Sequence, residues 1–304
     1  MLSLHTNAAS LSTQNSLAST NKALSSSMTK LGTGYRVNSA MDDAAGLQIA
    51  TRLNAQARGM SVAQKNTQNG ISMLQTAEGS LSEVSNILLR MKDLATESAN
   101  ATATQNDRDA MQAEFDALGA EMANIVANTK FGGESLFVAG KASIATAAGT
   151  LGTAAGATFQ IGADAAETMT IKFGGAAASA DGTLTDVLAD LGAVSTQFAN
   201  APAAGTEVKT LTDANAIISD IETAINSVGT MRSGLGAASN RLEHVYNNLG
   251  NMIQNTEAAK GRILDVDYAS ETANMTNKQM LMQASSAMLK QSSSMSQMVA
   301  SLLQ

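Results

Sequence analysis

The sequence predicts a mainly α fold: long helical-bundle rods drawn from both chain ends, a terminal coiled coil, and a small middle region with a β-hairpin. Three observations predict it. Apolar residues recur at alternating three- and four-residue spacing in both terminal thirds. The apolar mass, 44% of 304 residues, is Ala, Leu, Met, Ile and Val, with aromatics at 3% and no Trp, which suits slender rods. Between the ends the composition shifts to Ala, Gly and Thr, and this stretch holds all but one of the six Phe and the single Pro.

The elements follow in order. Near the N-terminus Leu17, Leu24, Met28 and Leu31 mark one face of a helix, punctuated by Gly32 and Gly34. Leu74, Ala77, Leu81, Val84, Leu88, Met91 and Ala95 keep the heptad alternation, with Ile87 and Leu94 widening the stripe. Residues 100–106 are a polar turn. A shorter helix follows, carrying Met111, Phe115, Leu118, Met122 and Ile125 on one face, and folds back as a helical hairpin.

In the middle region, residues 158–161 and 169–173 alternate apolar and polar around a turn at 162–167, which predicts a β-hairpin. Residues 186–191 suggest a short helix. The remainder reads as low-complexity loop on the outside of the structure.

From Leu211 the heptads return through Ala214, Ile218, Ile221, Ile225, Val228, Arg232, Leu235, Ser239, Leu242, Tyr246, Leu249 and Ile253 to Ile263. Gly229, Gly234 and Gly236 loosen this helix, each costing about 1 kcal/mol relative to Ala. About fifty helical residues at about 1.5 Å each make a rod of roughly 80 Å, which must lie along partners. The last stripe is Leu281, Ala284, Met288, Met295, Met298 and Leu302, broken by Gln291. Charge-poor stripes at both ends need partners: first the other terminus, then neighbouring copies. The pattern is that of an assembly subunit.

Composition excludes several classes. Net charge is -7 and spread along the chain, so nucleic acid and anionic membranes are not expected partners. Cysteine is absent, which rules out disulfides and thiolate metal sites. No apolar run approaches the roughly 18 residues of a membrane span. The first residues show no charged segment followed by an apolar core, so no cleavable signal peptide is expected.

Asp42 and Asp43 precede a helical run and read as an N-cap pair rather than metal ligands. Asp265 and Asp267 read as a cap or as a salt bridge to Arg262. His5 and His244 belong to no metal-binding pair, and no nucleophile elbow, P-loop or dinucleotide fingerprint stands before a helix. The chain is expected to be no enzyme, with no catalytic residues, cofactor or metal. The C-terminal Met residues, at heptad spacing, read as packing knobs.

Specific motifs then take over from pattern. The run Leu31-Gly32-Thr33-Gly34-Tyr35-Arg36-Val37-Asn38-Ser39-Ala40-Met41-Asp42-Asp43-Ala44-Ala45-Gly46-Leu47-Gln48-Ile49-Ala50 strongly resembles the N-terminal signature of bacterial flagellins. So do Leu235-Gly236-Ala237-Ala238-Ser239-Asn240-Arg241-Leu242, Arg262-Ile263-Leu264-Asp265-Val266-Asp267-Tyr268-Ala269-Ser270-Glu271 and the closing Val299-Ala300-Ser301-Leu302-Leu303. The matches cover about two-thirds of the chain in the family's order.

The resemblance implies a short flagellin with little or no outer domain. Residues 1–43 would form the N-terminal half of an inner-tube coiled coil with its spoke. Residues 44–175 would form the N-terminal part of a helical shell with the β-hairpin, and 176–209 a short outward-facing variable segment. Residues 210–263 would complete the shell, and 264–304 would form the C-terminal half of the inner tube. The terminal stripes would then be the polymerisation seam of a secreted, extracellular filament for motility. Partners would be copies of itself, an export chaperone, and cap and junction proteins. A hook–filament junction protein, with similar ends, is the alternative.

Leu88-Leu89-Arg90-Met91-Lys92-Asp93-Leu94-Ala95 resembles the flagellin stretch read by the innate immune receptor Toll-like receptor 5. Glu114 matches a further contact position. The expected receptor contacts are Leu88, Arg90, Leu94 and Glu114: a planar five-donor fork beside apolar anchors. Leu89, Met91, Lys92 and Asp93 vary from the family's commonest residues.

Overall fold

The computed structural model describes residues 8–138, 149–152, 156–173, 184–198 and 205–302. Six α-helices lie among them: α1 (Ala8–Thr33), α2 (Ala44–Ser98), α3 (Gln105–Asn128), α4 (Leu184–Val194), α5 (Leu211–Leu264) and α6 (Tyr268–Leu302). Two antiparallel hairpins join β1 (Lys130–Phe131) to β2 (Glu134–Ser135) and β3 (Ala157–Gln160) to β4 (Thr168–Ile171). The mainly α expectation with a middle hairpin therefore holds. The chain divides into two compact units, residues 1–57 with 254–304, and residues 58–253.

In the larger unit the core is the predicted α2 stripe. Leu74, Ala77, Leu81, Val84, Leu88, Met91, Leu94 and Ala95 are all buried. From α3 come Phe115 and Met122, fully buried, with Met111, Leu118 and Ile125 packed at the edge. The buried face of α5 shares one row with the expected seam, and its other row is shifted by one residue. Ala214, Ile221, Val228, Leu235, Leu242 and Leu249 are inside as expected, but the alternate positions are Ile217, Ala224, Met231 and Ala238. Ile218 and Ile225 only flank the core, and Arg232 sits at its rim, donating from Nη2 to Glu78 at 2.8 Å. A helix with neighbours on several sides buries an arc wider than a two-row seam, so spacing alone does not choose the central row.

The helix starts are capped by short polar residues. Thr104 closes a reciprocal capping box with Asp107 on α3. The Thr210 hydroxyl accepts from the Asp213 amide at 3.1 Å before α5. Asp43 accepts from the Gly46 amide at 2.8 Å at the start of α2. Asp42 is not part of that cap. Its carboxylate accepts from the Ser39 and Asn38 amides at 3.0 and 3.1 Å and closes the preceding turn. Those backbone bonds hold it below the usual Asp pKa. Asp267 accepts from the Ala269 amide at 3.0 Å and caps α6.

The predicted hairpin is present, with Ala157 opposite Ile171 and Gln160 opposite Thr168. It lies against α2, where a side chain at Gly70 would press on the Phe159 ring and one at Gly59 on Ala163. The smaller β1–β2 hairpin was not anticipated. Its two-residue turn is Gly132-Gly133, both at positive φ (63° and 94°), the combination a tight primed hairpin turn requires.

The reading of 176–209 as an outward-facing segment is overturned for its described part. In α4, Leu184, Val187, Leu188, Leu191 and Val194 are buried, and so are Phe198 and Val208 beyond it. All join the cluster built on α2, α3 and α5. Their spacing is that of an amphipathic helix, a signal diluted by the Ala-Gly-Thr composition around it. Residues 176–183 and 199–204, with Pro202, lie outside the described residues.

A polar latch holds the return segment onto α3. The buried Gln112 accepts from the Val208 amide at 2.8 Å and donates to Glu207 at 2.8 Å and Asp116 at 2.9 Å. Glu207 also accepts from the Thr196 amide and hydroxyl, both at 2.8 Å. The Ser98 hydroxyl donates to the Val208 carbonyl. Among the described residues no buried side-chain polar atom lacks a partner.

Candidate functional site

Two surfaces were expected to carry function: the terminal stripes and the face around Arg90. In the terminal unit α1 and α6 pack along each other. They run antiparallel, because Ser27 meets Lys278 while Gly34, seven residues later, sits under the ring of Tyr268. Below the pair, the linkers are clasped. Tyr35 and Asp265 form an antiparallel bridge, the Arg36 amide donates to the Leu264 carbonyl at 2.6 Å, and the Val266 amide donates to Gly34 at 3.0 Å. The Arg36 guanidinium adds a bond to the Ile263 carbonyl at 2.8 Å. Gly34 takes φ 77° there, a conformation that disfavours any other residue, and its missing side chain makes room for Tyr268.

On α1 the sheltered row is Thr13, Leu17, Thr20, Leu24, Ser27 and Leu31, at strict heptad spacing. Leu17, Leu24 and Leu31 thus lie where expected. Met28 does not: it is exposed. On α6 the sheltered row is Met275, Lys278, Met282, Ser285, Leu289 and Ser292. The expected α6 stripe lies one residue away, about 100° around the helix. Leu281, Met288, Met295 and Met298 are 57%, 64%, 56% and 63% exposed, and Ala284 is exposed with them. The side chain of Leu302 lies outside the described residues.

As partners of α1, these α6 residues are therefore corrected. The physical reason is that the seam is half polar. Apolar periodicity counts Leu and Met and overlooks a row whose Ser and Thr let two backbones approach. Lys278 reaches across this row to donate to Ser27 Oγ at 2.7 Å and to the Ala23 carbonyl at 3.4 Å. What the correction leaves is a second apolar stripe on α6, at three-four spacing, that the chain's own N-terminal helix does not cover.

Around Arg90 the structure separates the four expected residues. Arg90 and Glu114 are exposed and bound to each other: Nε and Nη2 both donate to Glu114 Oε1, at 2.9 and 2.6 Å. The hydrogen-bonded Glu114 carboxylate raises the Arg90 pKa above its ordinary value. Leu88 and Leu94 are 0% and 2% exposed and belong to the core. They face α2's packing side, so neither can touch a receptor while the unit is folded. Sequence reasoning missed Leu89, which is 51% exposed next to Arg90. A wheel drawn about the Leu74–Ala95 stripe puts it on the flank, about 100° from Leu88, so the signal was present. Lys92 is engaged on α5, donating to Glu222 at 2.7 Å.

Among the described residues no group of three or more His, Asp or Glu is arranged to hold a metal ion. No helix there is long and apolar enough to cross a membrane.

The family models and the sequence relatives agree on one family. Residues 4–142 match the bacterial flagellin N-terminal helical region, and residues 218–303 match the bacterial flagellin C-terminal helical region. A flagellin of Bacillus subtilis is 38% identical over 98% of each chain. A flagellin of Halalkalibacterium halodurans is 38% identical over 91% of this chain and 90% of its own. Among solved structures, a Bacillus cereus flagellin aligns with 61% of this chain and 88% of its own, at 31% identity and a TM-score of 0.44.

Proposed function

The chain belongs to the bacterial flagellin family, a family of structural filament subunits rather than enzymes, and from that premise we propose how it assembles and what reads it. Copies pack into the filament through the outer faces of the α1–α6 pair, after export from the cell with a chaperone and growth beneath a cap. The observation that carries this reading is the α6 stripe of Leu281, Met288 and Met295, each more than half exposed at regular heptad-like spacing. Large apolar residues in register along a helix, turned away from the nearest helix, are what a self-associating surface presents.

Electron microscopy of the purified full chain under assembly conditions tests it. Long tubes are the expected result, and removal of residues 291–304, which takes away Met295 and Met298, abolishes them. Short capped oligomers from the full chain would favour a hook–filament junction role, and normal growth from the truncated chain would reject the seam.

A second reading rests on the Arg90–Glu114 pair. Its unused guanidinium hydrogens, beside exposed Leu89, form a charged fork with an apolar neighbour, the makeup of an interface hot spot. The surface is proposed as a Toll-like receptor 5 contact made by Leu89, Arg90 and Glu114, with Leu88 and Leu94 holding the helix beneath them. Reporter-cell titration of soluble monomer checks it.

A further inference from the structure

The chain has 17 methionines and no cysteine, so thioethers are its most readily oxidised sulfur. The structure sorts them into two populations. Met60, Met91, Met122 and Met231 are no more than 2% exposed inside the bundle. On α6, Met280, Met288, Met295 and Met298 are 56%, 64%, 56% and 63% exposed, and away from α6 Met28 and Met41 are exposed as well. Met275 and Met282, on the same helix, are half-buried in the row that faces α1. The accessible thioethers of α6 are thus gathered on or beside the stripe that α1 leaves uncovered.

We infer that Met280, Met288, Met295 and Met298 form an oxidative modification site that switches self-assembly off in the free subunit. The inference rests on the filament reading above. The co-reactant is a peroxide. A thioether sulfur lone pair attacks one peroxide oxygen, the O–O bond breaks and an S=O bond forms. The sulfur gives up two electrons, and the other oxygen leaves as hydroxide, taking up a proton to become water. Each event turns a flexible apolar knob into a polar, chiral sulfoxide whose oxygen accepts hydrogen bonds.

Against water that oxygen is satisfied. In an apolar packing face it is not, and four such groups on one helix face oppose burial together. The bundle core keeps its thioethers because peroxide does not reach them at a comparable rate. Oxidation therefore leaves the subunit folded while removing its ability to pack on a neighbour. Packing hides the same thioethers, so a formed filament resists the oxidant that disables free subunits.

The test treats soluble full-length chain with graded hydrogen peroxide, maps sulfoxides by peptide mass spectrometry and follows polymer by light scattering and electron microscopy. Sulfoxide is expected at Met280, Met288, Met295 and Met298 at least about tenfold faster than at Met60, Met91, Met122 and Met231. Polymer yield should fall in step, with circular dichroism unchanged. Methionine sulfoxide reductases acting on the treated chain should restore polymer. A Met280→Leu, Met288→Leu, Met295→Leu, Met298→Leu variant, nearly volume-conserving, should keep assembling after the same treatment.

Oxidation of the buried methionines at an equal rate would overturn the inference. So would polymerisation that survives full conversion of the four sites, or an assembling Leu variant as sensitive as the parent. An untreated chain that forms no polymer would instead overturn the filament reading, a result read before any oxidant is added.

Discussion

Lys278 crosses from α6 to donate a 2.7 Å hydrogen bond to Ser27 Oγ on α1, and Ser27 is 1% exposed. The seam between the terminal helices is thereby fixed by a charged hydrogen bond at one position and by Leu17, Leu24, Met282 and Leu289 along the rest. A single polar residue in a helix–helix seam specifies register, because sliding by one turn leaves it without its partner. The same bond explains why the more apolar stripe of α6 is not the one that meets α1.

Ser27→Ala removes that acceptor and leaves the half-buried ammonium with only the Ala23 carbonyl at 3.4 Å. The expected cost is about 1 kcal/mol, the lower range for a charged hydrogen bond that water partly replaces. Amide exchange in α1 and α6 should quicken about fivefold, whereas Met28→Ala, off the seam, should leave it unchanged. Equal exchange in both variants would mean that the bond holds nothing.

Arg90→Ala and its buried neighbours should separate recognition from folding. Arg90 is an exposed partner of Glu114, so its loss should leave the melting temperature unchanged and reduce receptor signalling about tenfold or more. Leu89→Ala should behave similarly. Leu88→Ala and Leu94→Ala open cavities in the core and should each cost about 2–5 kcal/mol of stability. If Arg90→Ala monomer signals at parental potency, the recognition surface lies elsewhere.

Leu191→Ala tests whether α4 belongs to the core. Leu191 is fully buried among the residues of the main cluster, so truncation should cost about 2–5 kcal/mol. Replacing residues 184–198 with a Gly-Ser loop should abolish cooperative melting of the larger unit. An unchanged melt for either variant would return this segment to the surface.

Acid should loosen the latch at Glu207. Burial pushes its carboxyl pKa up, but hydrogen bonds from the Thr196 amide, its own backbone, the Thr196 hydroxyl and Gln112 pull it below the ordinary 4.5. A lowered folded-state pKa means stability that is complete above 4.5 and lost as pH falls through and below that value. Thermal melts of the parent between pH 6 and pH 3 should fall more steeply than those of Glu207→Gln, which lacks the titrating group. Parallel profiles would show that the latch does not depend on its charge.

The sequence by itself determined the class of this protein. Heptad spacing carried the helices and the α2 core, the Thr158–Ile161 and Met169–Phe173 alternation carried the hairpin, and the residue 31–50 and 262–271 signatures carried the family. Each is a local property, written in residues near one another along the chain.

What only tertiary structure decided is which face each element turns inward. Two stripes one residue apart on α6, and two alternate rows on α5, satisfy the same spacing, and the choice between them lies in the neighbour. On α6 it was settled by Ser27 and the hydroxyls of α1, on α5 by neighbours on more than one side. Leu88 and Leu94 look like anchors beside Arg90 until α3 and α5 close over that side of α2. Residues 184–208 look like a short helix in an outward-facing loop until Leu184, Leu191 and Phe198 find a core built from segments far away in the chain. Burial is a property of the assembled bundle, so a pattern read along one helix cannot assign it.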